Sequence, residues 1–375
     1  MSQVYAIKPD KKFAQEIIGL GGVKLKQCFQ CATCSVVCKM SPDQSPFPRK
    51  EMIWAQWGLK DKLVGDPDVW LCHRCSDCSV HCPRGAAPGD VLAAVRDYTI
   101  KHYAVPGFLG KAVGSLAMLP IMLIIPAVLL VAMLAGIGHL HIPEGDVLYE
   151  HFLPHWPLQI FYGGFAILAF VICIVGARRF WNDMNKHMPP GTKTNGIVPS
   201  IIGAAKDIIT HIKFKDCNHS KSRYISHLLT FYGFVGLFIT TCAVVVSVYV
   251  FHYYPLPLFH PLKIFGNLST IAMVIGVSWI MLDRANQRQG YEMSTNRDWT
   301  FVGILGTVVL TGILTEILRY ANIPAVAYHV YFVHLIVVFA LLMYVPYSRF
   351  AHMIYRTVAL VHARYSGRET AARAA

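Results

Sequence analysis

A chain of 375 residues with 54% hydrophobic and 15% charged residues is too apolar for an ordinary soluble domain. Its formal net charge of +13 could suggest nucleic-acid binding, but most basic residues lie between long apolar segments, where membrane topology accounts for them. We therefore expect a membrane protein with no nucleic-acid partner. The segment from Met1 to Asp10 is polar and has no apolar core, so we expect no secretory signal peptide.

Most of the cysteines lie in two runs of identical spacing near the start of the chain. These runs are Cys28-x2-Cys31-x2-Cys34-x3-Cys38 and Cys72-x2-Cys75-x2-Cys78-x3-Cys82-Pro83. The spacing is typical of a two-cluster ferredoxin, in which the fourth cysteine of each run binds the other run's cluster. A zinc site would instead pair two CxxC motifs across a long spacer, and clustered cysteines argue against a disulfide framework.

The spacing therefore predicts two [4Fe–4S] clusters in a reducing compartment, with the fourth ligands exchanged between the runs. The expected ligands are Cys28, Cys31, Cys34 and Cys82 for the first cluster, and Cys72, Cys75, Cys78 and Cys38 for the second. The alternative is a pair of structural clusters that carry no electron flow.

Residues 1–108 are expected to form this cluster domain, which should be soluble and α-helical. The link Pro42–Pro48, rich in proline and serine, is expected to be a loop. The stretch Arg49–Leu63 has apolar residues at helical spacing, with Gly58 as its weak point. A charged helix around Asp90–Tyr103 is expected to close the domain.

Six apolar stretches of about 20 residues follow, each long enough to cross the hydrocarbon core as a helix. We place them near 112–137, 157–177, 225–250, 264–282, 299–320 and 328–347. The overall prediction is a mainly α fold, in which a two-[4Fe–4S] ferredoxin domain precedes a six-helix transmembrane cytochrome b bundle over residues 109–375.

The distribution of lysine and arginine predicts the orientation. The connectors 138–156 and 321–327 contain no basic residue, and 251–263 contains one. In contrast, 178–223 contains nine, 283–298 contains three and 348–375 contains five. Since basic connectors stay inside, both termini and the cluster domain should lie on the cytoplasmic side of the inner membrane.

Three histidines are candidate haem ligands, because polar residues inside spans are costly and tend to mark function. His227 lies near the start of the third span and His352 follows the sixth, which puts both at a similar depth on the cytoplasmic side. No CxxCH motif occurs, so a covalently attached haem is not expected. His334 precedes His352 by about 27 Å if the helix is straight, toward the outer face. The alternative is that these histidines bind no metal.

The histidine segments resemble a known family. His334-x17-His352, with the intervening Val-Pro-Tyr-Ser-Arg-Phe, resembles the last haem-binding helix of the nitrate reductase gamma subunit family of membrane cytochromes b. Tyr-Ile-Ser-His227 is similar to that family's other haem helix. The resemblance implies a haem b held by His227 and His352. The family's second histidine on that helix is replaced here by Leu237, so a second haem at His334 lacks its expected partner.

The second cysteine run extends the resemblance. The segment from Asp68 to Gly85 is similar to the iron–sulfur C subunit of heterodisulfide reductase. Its fusion to a cytochrome b resembles the C subunit of the quinone-interacting membrane-bound oxidoreductase (Qmo) complex of sulfate-reducing organisms. That resemblance implies two soluble flavin and iron–sulfur subunits as partners and, beyond them, adenylylsulfate reductase.

A quinone site is a hypothesis for the outer end of the fifth span. Glu316 could relay protons there, and Arg319 could stabilise a partly reduced, negatively charged quinone. The alternative is an ion pair between these two residues, which have the i,i+3 spacing of helical neighbours.

The leading function is therefore electron transfer between menaquinone or another quinone, haem b, the two clusters and soluble partners. The chain has no GxGxxG or GxxxxGK[ST] motif, so we expect no soluble-substrate site of those kinds. One alternative is a subunit of a heterodisulfide- or sulfite-reductase-linked complex. Two others, from different classes, are a membrane transporter with a cluster-based redox sensor and a membrane anchor with structural clusters.

Overall fold

The computed structural model describes residues 8–42, 45–188, 192, 194–211, 214, 221–288 and 294–368. In these ranges the regular elements are helices, and no strand occurs. The helices before the first membrane-length element are α1 (Lys11–Gly19), α2 (Thr33–Val37), α3 (Arg49–Gln56), α4 (Lys60–Val64), α5 (Asp68–Leu71), α6 (Asp77–Val80), α7 (Pro88–Tyr103) and α8 (Gly107–Ala112). The later helices are α9 (Leu119–Gly136), α10 (Tyr149–Phe152), α11 (His155–Lys186), α12 (Ile197–Thr210), α13 (Lys221–Tyr249), α14 (Pro261–Ala285), α15 (Asn296–Tyr320), α16 (Pro324–Met343) and α17 (His352–Tyr365).

Six helices are long and apolar enough to cross a membrane, as the sequence predicts. We number them spans 1 to 6: Leu116–Gly136, His155–Lys186, Ser222–Tyr249, Pro261–Ala285, Asn296–Tyr320 and Pro324–Met343. Most of their apolar side chains are not buried in the protein, which suits a lipid environment. The mainly helical fold and the six spans are confirmed.

The expected helix over Arg49–Leu63 is wrong as a single element, because it divides at Gly58 into α3 and α4. Gly58 has a φ of +66°, and a side chain there would meet the backbone of Asp10. The Gly58 carbonyl accepts a hydrogen bond from the Asp10 amide at 3.0 Å. Close approach of two backbones thus ends the helix at the position that the sequence marked as weak.

The predicted sixth span, 328–347, is wrong at its end. Its helix stops at Met343 and is followed by two 3₁₀ turns, Val345–Tyr347 and Arg349–Ala351. Pro346 has no amide hydrogen to donate, and it also disfavours a helical conformation in the residue before it. A new helix, α17, then begins at His352. His334 and His352 are therefore not on one straight helix.

The N-terminal domain and the membrane-length helices share one hydrophobic core. Ile17 of α1 and Tyr103 of α7 belong to the same buried cluster as Phe180 of span 2 and Tyr355 of α17. The Tyr103 hydroxyl also donates to the Asp183 carboxylate at 3.1 Å. We call the end of the span bundle that meets this domain the cluster face, and the opposite end the far face.

Candidate redox site

The two cysteine runs fold into loops of the same shape. In each loop the residues on both sides of the second cysteine adopt left-handed conformations. The φ angles are 63° at Gln30, 69° at Ala32, 53° at Arg74 and 68° at Ser76. Non-glycine residues rarely adopt this conformation, and such strain concentrates at functional sites. It turns amide groups toward sulfur, and the Arg74 amide donates to Cys72 Sγ at 3.3 Å. Inward-facing amides of this kind stabilise iron–sulfur centres.

The structure brings the fourth cysteine of each run to the other run. Burial raises the pKa of the Cys28 thiol, and among the cysteines Cys82 acts on it most strongly. Burial likewise raises the pKa of Cys38 to about 12, and Cys72 and then Cys75 are the cysteines that contribute most to this shift. One small cavity is lined by Cys38, Cys72, Cys75 and Cys78. The two predicted groups of four cysteines are thus assembled in space, and ligation by them remains a prediction.

The donor set fits positively charged centres. Burial raises the pKa of Cys34 to about 11 and that of Cys78 well above its ordinary value. These buried thiols would stay protonated without a cation nearby, whereas coordination to iron deprotonates a thiol outright. Eight cysteines in two groups suit two iron–sulfur clusters.

The two groups of cysteines differ in their surroundings. Cys31 of the first group is exposed, and the neighbouring Phe29 side chain has 67% of its surface accessible. In the second group, Cys78 is buried and Arg74 reaches the carboxylate of Asp298 in span 5 at 3.4 Å. Cys34 of the first group is as buried as Cys78, so the first group is exposed at Cys31 alone among its four cysteines, while the second group is tied to the cluster face.

One arginine of α17 ties the second group to the membrane half. The Arg356 guanidinium donates to the carbonyls of Trp70 at 3.0 Å and Cys72 at 3.1 Å, and it also contacts the His73 ring. Arg356 follows His352 by one helical turn, an axial rise of about 6 Å. A predicted haem ligand is thus one turn away from the backbone of a predicted cluster ligand.

The hydrogen bonding of His352 suits a metal ligand. Its Nδ1 lies 2.7 Å from the Arg349 carbonyl, so Nδ1 carries the proton and donates it. The Nε2 lone pair is then available, which is the usual arrangement of a metal-binding histidine.

His227 lies at the same face, near the start of span 3, and His352 is among the titratable groups around it. Its Nδ1 is buried and has no hydrogen-bond partner among the described residues. A buried imidazole nitrogen without a hydrogen-bond partner is expected where a bound cofactor supplies the missing contact. His211, which the sequence analysis missed, has its ring centre 5.2 Å from that of His227.

His334 lies near the middle of span 6, deeper than expected from its predicted place near the outer face. Its Nδ1 is 2.9 Å from the Thr311 hydroxyl, and its ring touches the place where Gly312 lacks a side chain. Leu237 packs with the apolar side chains around Met273 and Leu341. Position 237 is a leucine and cannot bind a metal, so a second haem at His334 remains only a prediction.

Glu316 and Arg319 do not form the ion pair considered above within the described residues. Glu316 is instead 3.1 Å from the Lys263 ammonium and accepts a hydrogen bond from Asn267 at 3.2 Å. The Arg319 guanidinium lies about 6 Å from the ring centre of Tyr254. Both residues are at the far face, and their role with quinone remains a prediction.

A buried ion network at the cluster face was also missed by the sequence analysis. Arg349 lies 2.9 Å from the Asp97 carboxylate of α7 and 3.2 Å from Asp298 of span 5. Arg349 lies in the 3₁₀ turn before α17 and its acidic partners are far from it in sequence, so no spacing pattern indicated this network.

The fold and the cysteine site together define the class: a helical iron–sulfur protein with six membrane-length helices. Residues 24–86 match the model of the 4Fe-4S dicluster domain, and residues 108–375 match that of Citrate utilization protein B. The chain belongs to the Citrate utilization protein B family. The predicted dicluster domain at the N-terminus is confirmed.

Individual relatives agree with these matches. Citrate utilization protein B of Escherichia coli is 30% identical over 320 residues, which cover 78% of this chain and 80% of the relative. The N-terminal part is similar to the C subunit of the H(2):CoB-CoM heterodisulfide,ferredoxin reductase of Methanothermobacter marburgensis, with 38% identity over 110 residues. That match covers 28% of this chain and 57% of the relative. No solved structure shows significant similarity to the chain.

Proposed function

We propose that the chain is a membrane electron-transfer subunit that passes electrons between the quinone pool and soluble flavin or iron–sulfur partner subunits. The observation that carries this proposal is the Arg356 contact with the Cys72 carbonyl, one turn from His352. This contact links the backbone of the second cysteine group to the helix that carries a candidate haem ligand, which supports a short path between the domain and the membrane half.

The residues have separate roles in this proposal. The two groups of four cysteines hold two [4Fe–4S] clusters, and His227 and His352 hold a haem b. When bound, these groups supply one-electron carriers. Arg349 keeps the proton on His352 Nδ1, and Arg356 fixes the loop of the second group.

The first group, which is exposed at Cys31, is the proposed entry or exit for soluble partners. Cys31 is exposed and Phe29 and Val36 beside it are exposed apolar residues, as expected where another protein docks. The relative of E. coli is named for citrate utilization, so we propose a soluble partner that belongs to such metabolism. The link to adenylylsulfate reductase remains a prediction that rests on resemblance alone.

A second candidate is an electron-transfer subunit of a heterodisulfide-reductase-linked complex. It is favoured by the similarity of the N-terminal part to the C subunits of such reductases. The two candidates differ in the soluble partner. Co-purification of the native complex, followed by identification of its subunits, distinguishes them.

The proposed location is the cytoplasmic membrane, with the cluster face in the cytoplasm. The connectors at the cluster face, 178–223 and 283–298, contain nine and three basic residues, whereas the far-face connector 138–156 contains none. This asymmetry supports cytoplasmic clusters.

The proposal is tested with the purified protein by its absorption spectrum before and after dithionite. We expect cluster bleaching and b-type haem bands in the wild type. His352→Ala and His227→Ala should each lose the haem bands and keep the cluster absorbance, because each removes one axial ligand. His187→Ala, a change at an exposed histidine, is the control. A wild-type spectrum without haem would refute the haem part of the proposal.

The far-face quinone site has its own test. Glu316→Gln keeps the shape of the side chain but removes its charge. We expect slower quinol oxidation by the intact complex, because proton transfer at the quinone is impaired. An unchanged rate would remove Glu316 from the mechanism.

Arg356→Met should loosen the second cysteine loop. It leaves the Trp70 and Cys72 carbonyls without their charged donor, at a cost of about 1–3 kcal/mol. We expect the visible cluster absorbance to be lost at a lower temperature than in the wild type. Arg288→Met, which removes an exposed arginine paired with Asp283, is the matched control. Equal midpoints for the two variants would contradict the role given to Arg356.

A further inference from the structure

A crevice opens between spans 1 and 5 at the cluster face. It has a volume of about 360 Å³, which is within the range of small-molecule sites. Its walls are almost entirely apolar, and Leu116 and Trp299 at its rim are exposed on the surface that would face lipid. A hydrophobic molecule could therefore enter it from the membrane.

The inner end of the crevice is polar. Thr300 lines both the crevice and a smaller adjoining cavity of about 40 Å³, whose walls include Arg297, Tyr344 and Arg349. The lack of a side chain at Gly114 makes room for the Arg297 guanidinium. Two guanidinium groups at the end of an apolar crevice suit a molecule with a long apolar body and carbonyl oxygens at one end.

The polar end is also connected to the second cysteine group and to a buried acid. Arg349 binds Asp298, and Asp298 lies 3.4 Å from Arg74, whose amide donates to Cys72 Sγ. Arg349 also binds Asp97 at 2.9 Å. Burial raises the pKa of the Asp97 carboxyl, although Arg349 opposes the shift. A chain of ion pairs thus joins this end of the crevice to Asp97 and to the loop of the second cysteine group.

We propose that this crevice is a further quinone-binding site, which takes the isoprenoid tail between spans 1 and 5 and the ring carbonyls at Arg297 and Arg349. The proposal deepens the proposed function and rests on it, since it names a second place where quinone meets the chain. Reduction of quinone to quinol here adds two electrons, supplied by the reduced flavin of a soluble partner through the cluster domain, and two protons from the cytoplasm by way of Asp97.

An azidoquinone photoprobe with a short isoprenoid tail tests the site in the intact complex, with crosslinks mapped by peptide mass spectrometry. We expect crosslinks in residues 116–123 and 296–307. Gly303 lines the crevice and has open space where a side chain would begin, so Gly303→Phe fills the crevice without a backbone clash. It should reduce these crosslinks at least tenfold. Gly163→Phe, at an equally open and exposed glycine of span 2, should leave them unchanged.

Thr300→Leu provides a second variant, because it alters the crevice near its polar end without adding bulk at Gly303. The inference would be overturned if the wild-type crosslinks were confined to the far face. It would also be overturned if Gly303→Phe and Thr300→Leu both left the crosslinks in the crevice unchanged. Competition by excess phospholipid but not by unlabelled short-tail quinone would also overturn it. Failure of the proposed function is a different result, in which quinone oxidises or reduces none of the protein's centres.

Discussion

At the scale of single residues, the exchange of the fourth cysteine between the two runs has the clearest consequence. Cys38 belongs to the first run in sequence but shares a cavity with three cysteines of the second. Cys82 belongs to the second run but is the cysteine that raises the pKa of Cys28 most. A change at either residue should therefore affect the cluster of the other run.

Cys38→Ser is expected to alter the electron paramagnetic resonance signal of the second cluster and to leave that of the first. Cys82→Ser should do the reverse, because each removes the exchanged ligand. Cys173→Ser, which changes a cysteine of span 2 far from both runs in sequence, is the control. If Cys38→Ser disturbed the first cluster alone, each run would bind its own cluster and the exchange would be wrong.

The residues of the candidate site differ in how well sequence could predict them. The cysteines and the pair His227 and His352 follow from spacing and from depth in the spans. Arg356 and Arg74 could not be assigned, because a long side chain reaches a carbonyl or carboxylate that is hundreds of positions away. Only the folded chain shows which of the many arginines makes such a contact.

At the scale of elements, a buried ion cluster joins α3, α5 and the end of α17. Glu51, Asp66 and Asp68 lie around the Lys50 ammonium, which is 2.6 Å from Asp68. Arg368, beyond α17, also binds Asp68. Burial, followed by the nearby Asp66, raises the pKa of the Asp68 carboxyl to about 6.

This shift predicts how stability depends on pH. Since the folded protein holds the Asp68 proton more tightly than the unfolded chain, its contribution is present at low pH and is lost as pH rises through about 6. Asp68→Asn should therefore flatten the change in thermal midpoint between about pH 4 and 6. Asp61→Asn, at an exposed position, should keep the wild-type profile. A profile that Asp68→Asn leaves unaltered would contradict this account.

Two helix ends show how far local sequence signals predict the structure. Gly58 and Pro346 both act through their own backbone chemistry, but only Gly58 was identified from the sequence as a weak point, whereas the predicted sixth span ran through Pro346. The exact end of span 6 at Met343 depends on the 3₁₀ turns that follow. The amphipathic α12 escaped prediction because its exposed apolar residues, such as Val198 and Ile202, lie in a helix of 14 residues, which is too short to cross a membrane.

At the scale of the whole molecule, orientation is the prediction to test. A fluorescent-protein fusion after Gly367 should be bright, because such reporters fold in the cytoplasm. An alkaline phosphatase fusion after Gly145 should be active, because that loop is expected outside. The opposite pattern, a dark terminal fusion with an inactive loop fusion, would invert the topology inferred from the basic connectors.

The overall architecture was largely predictable, since six apolar stretches and two cysteine runs each carry their own strong signal. The interface between the domain and the spans could not be predicted. It consists of contacts such as that of Tyr103 with Asp183, made between segments that share no sequence pattern. Hydrophobic periodicity predicts which face of a helix is buried, but not the element that covers it.

The Arg356 and Arg368 contacts also have a consequence for biosynthesis. Arg356 binds the backbone at Cys72, and Arg368 donates to the Ser45 carbonyl at 3.0 Å. A segment that is synthesised after all six spans therefore contacts the domain that precedes them. We expect the N-terminal domain to stay incompletely assembled until all six spans have been inserted. The order of synthesis would thus protect the cell from a reactive iron–sulfur domain that is released without its membrane anchor.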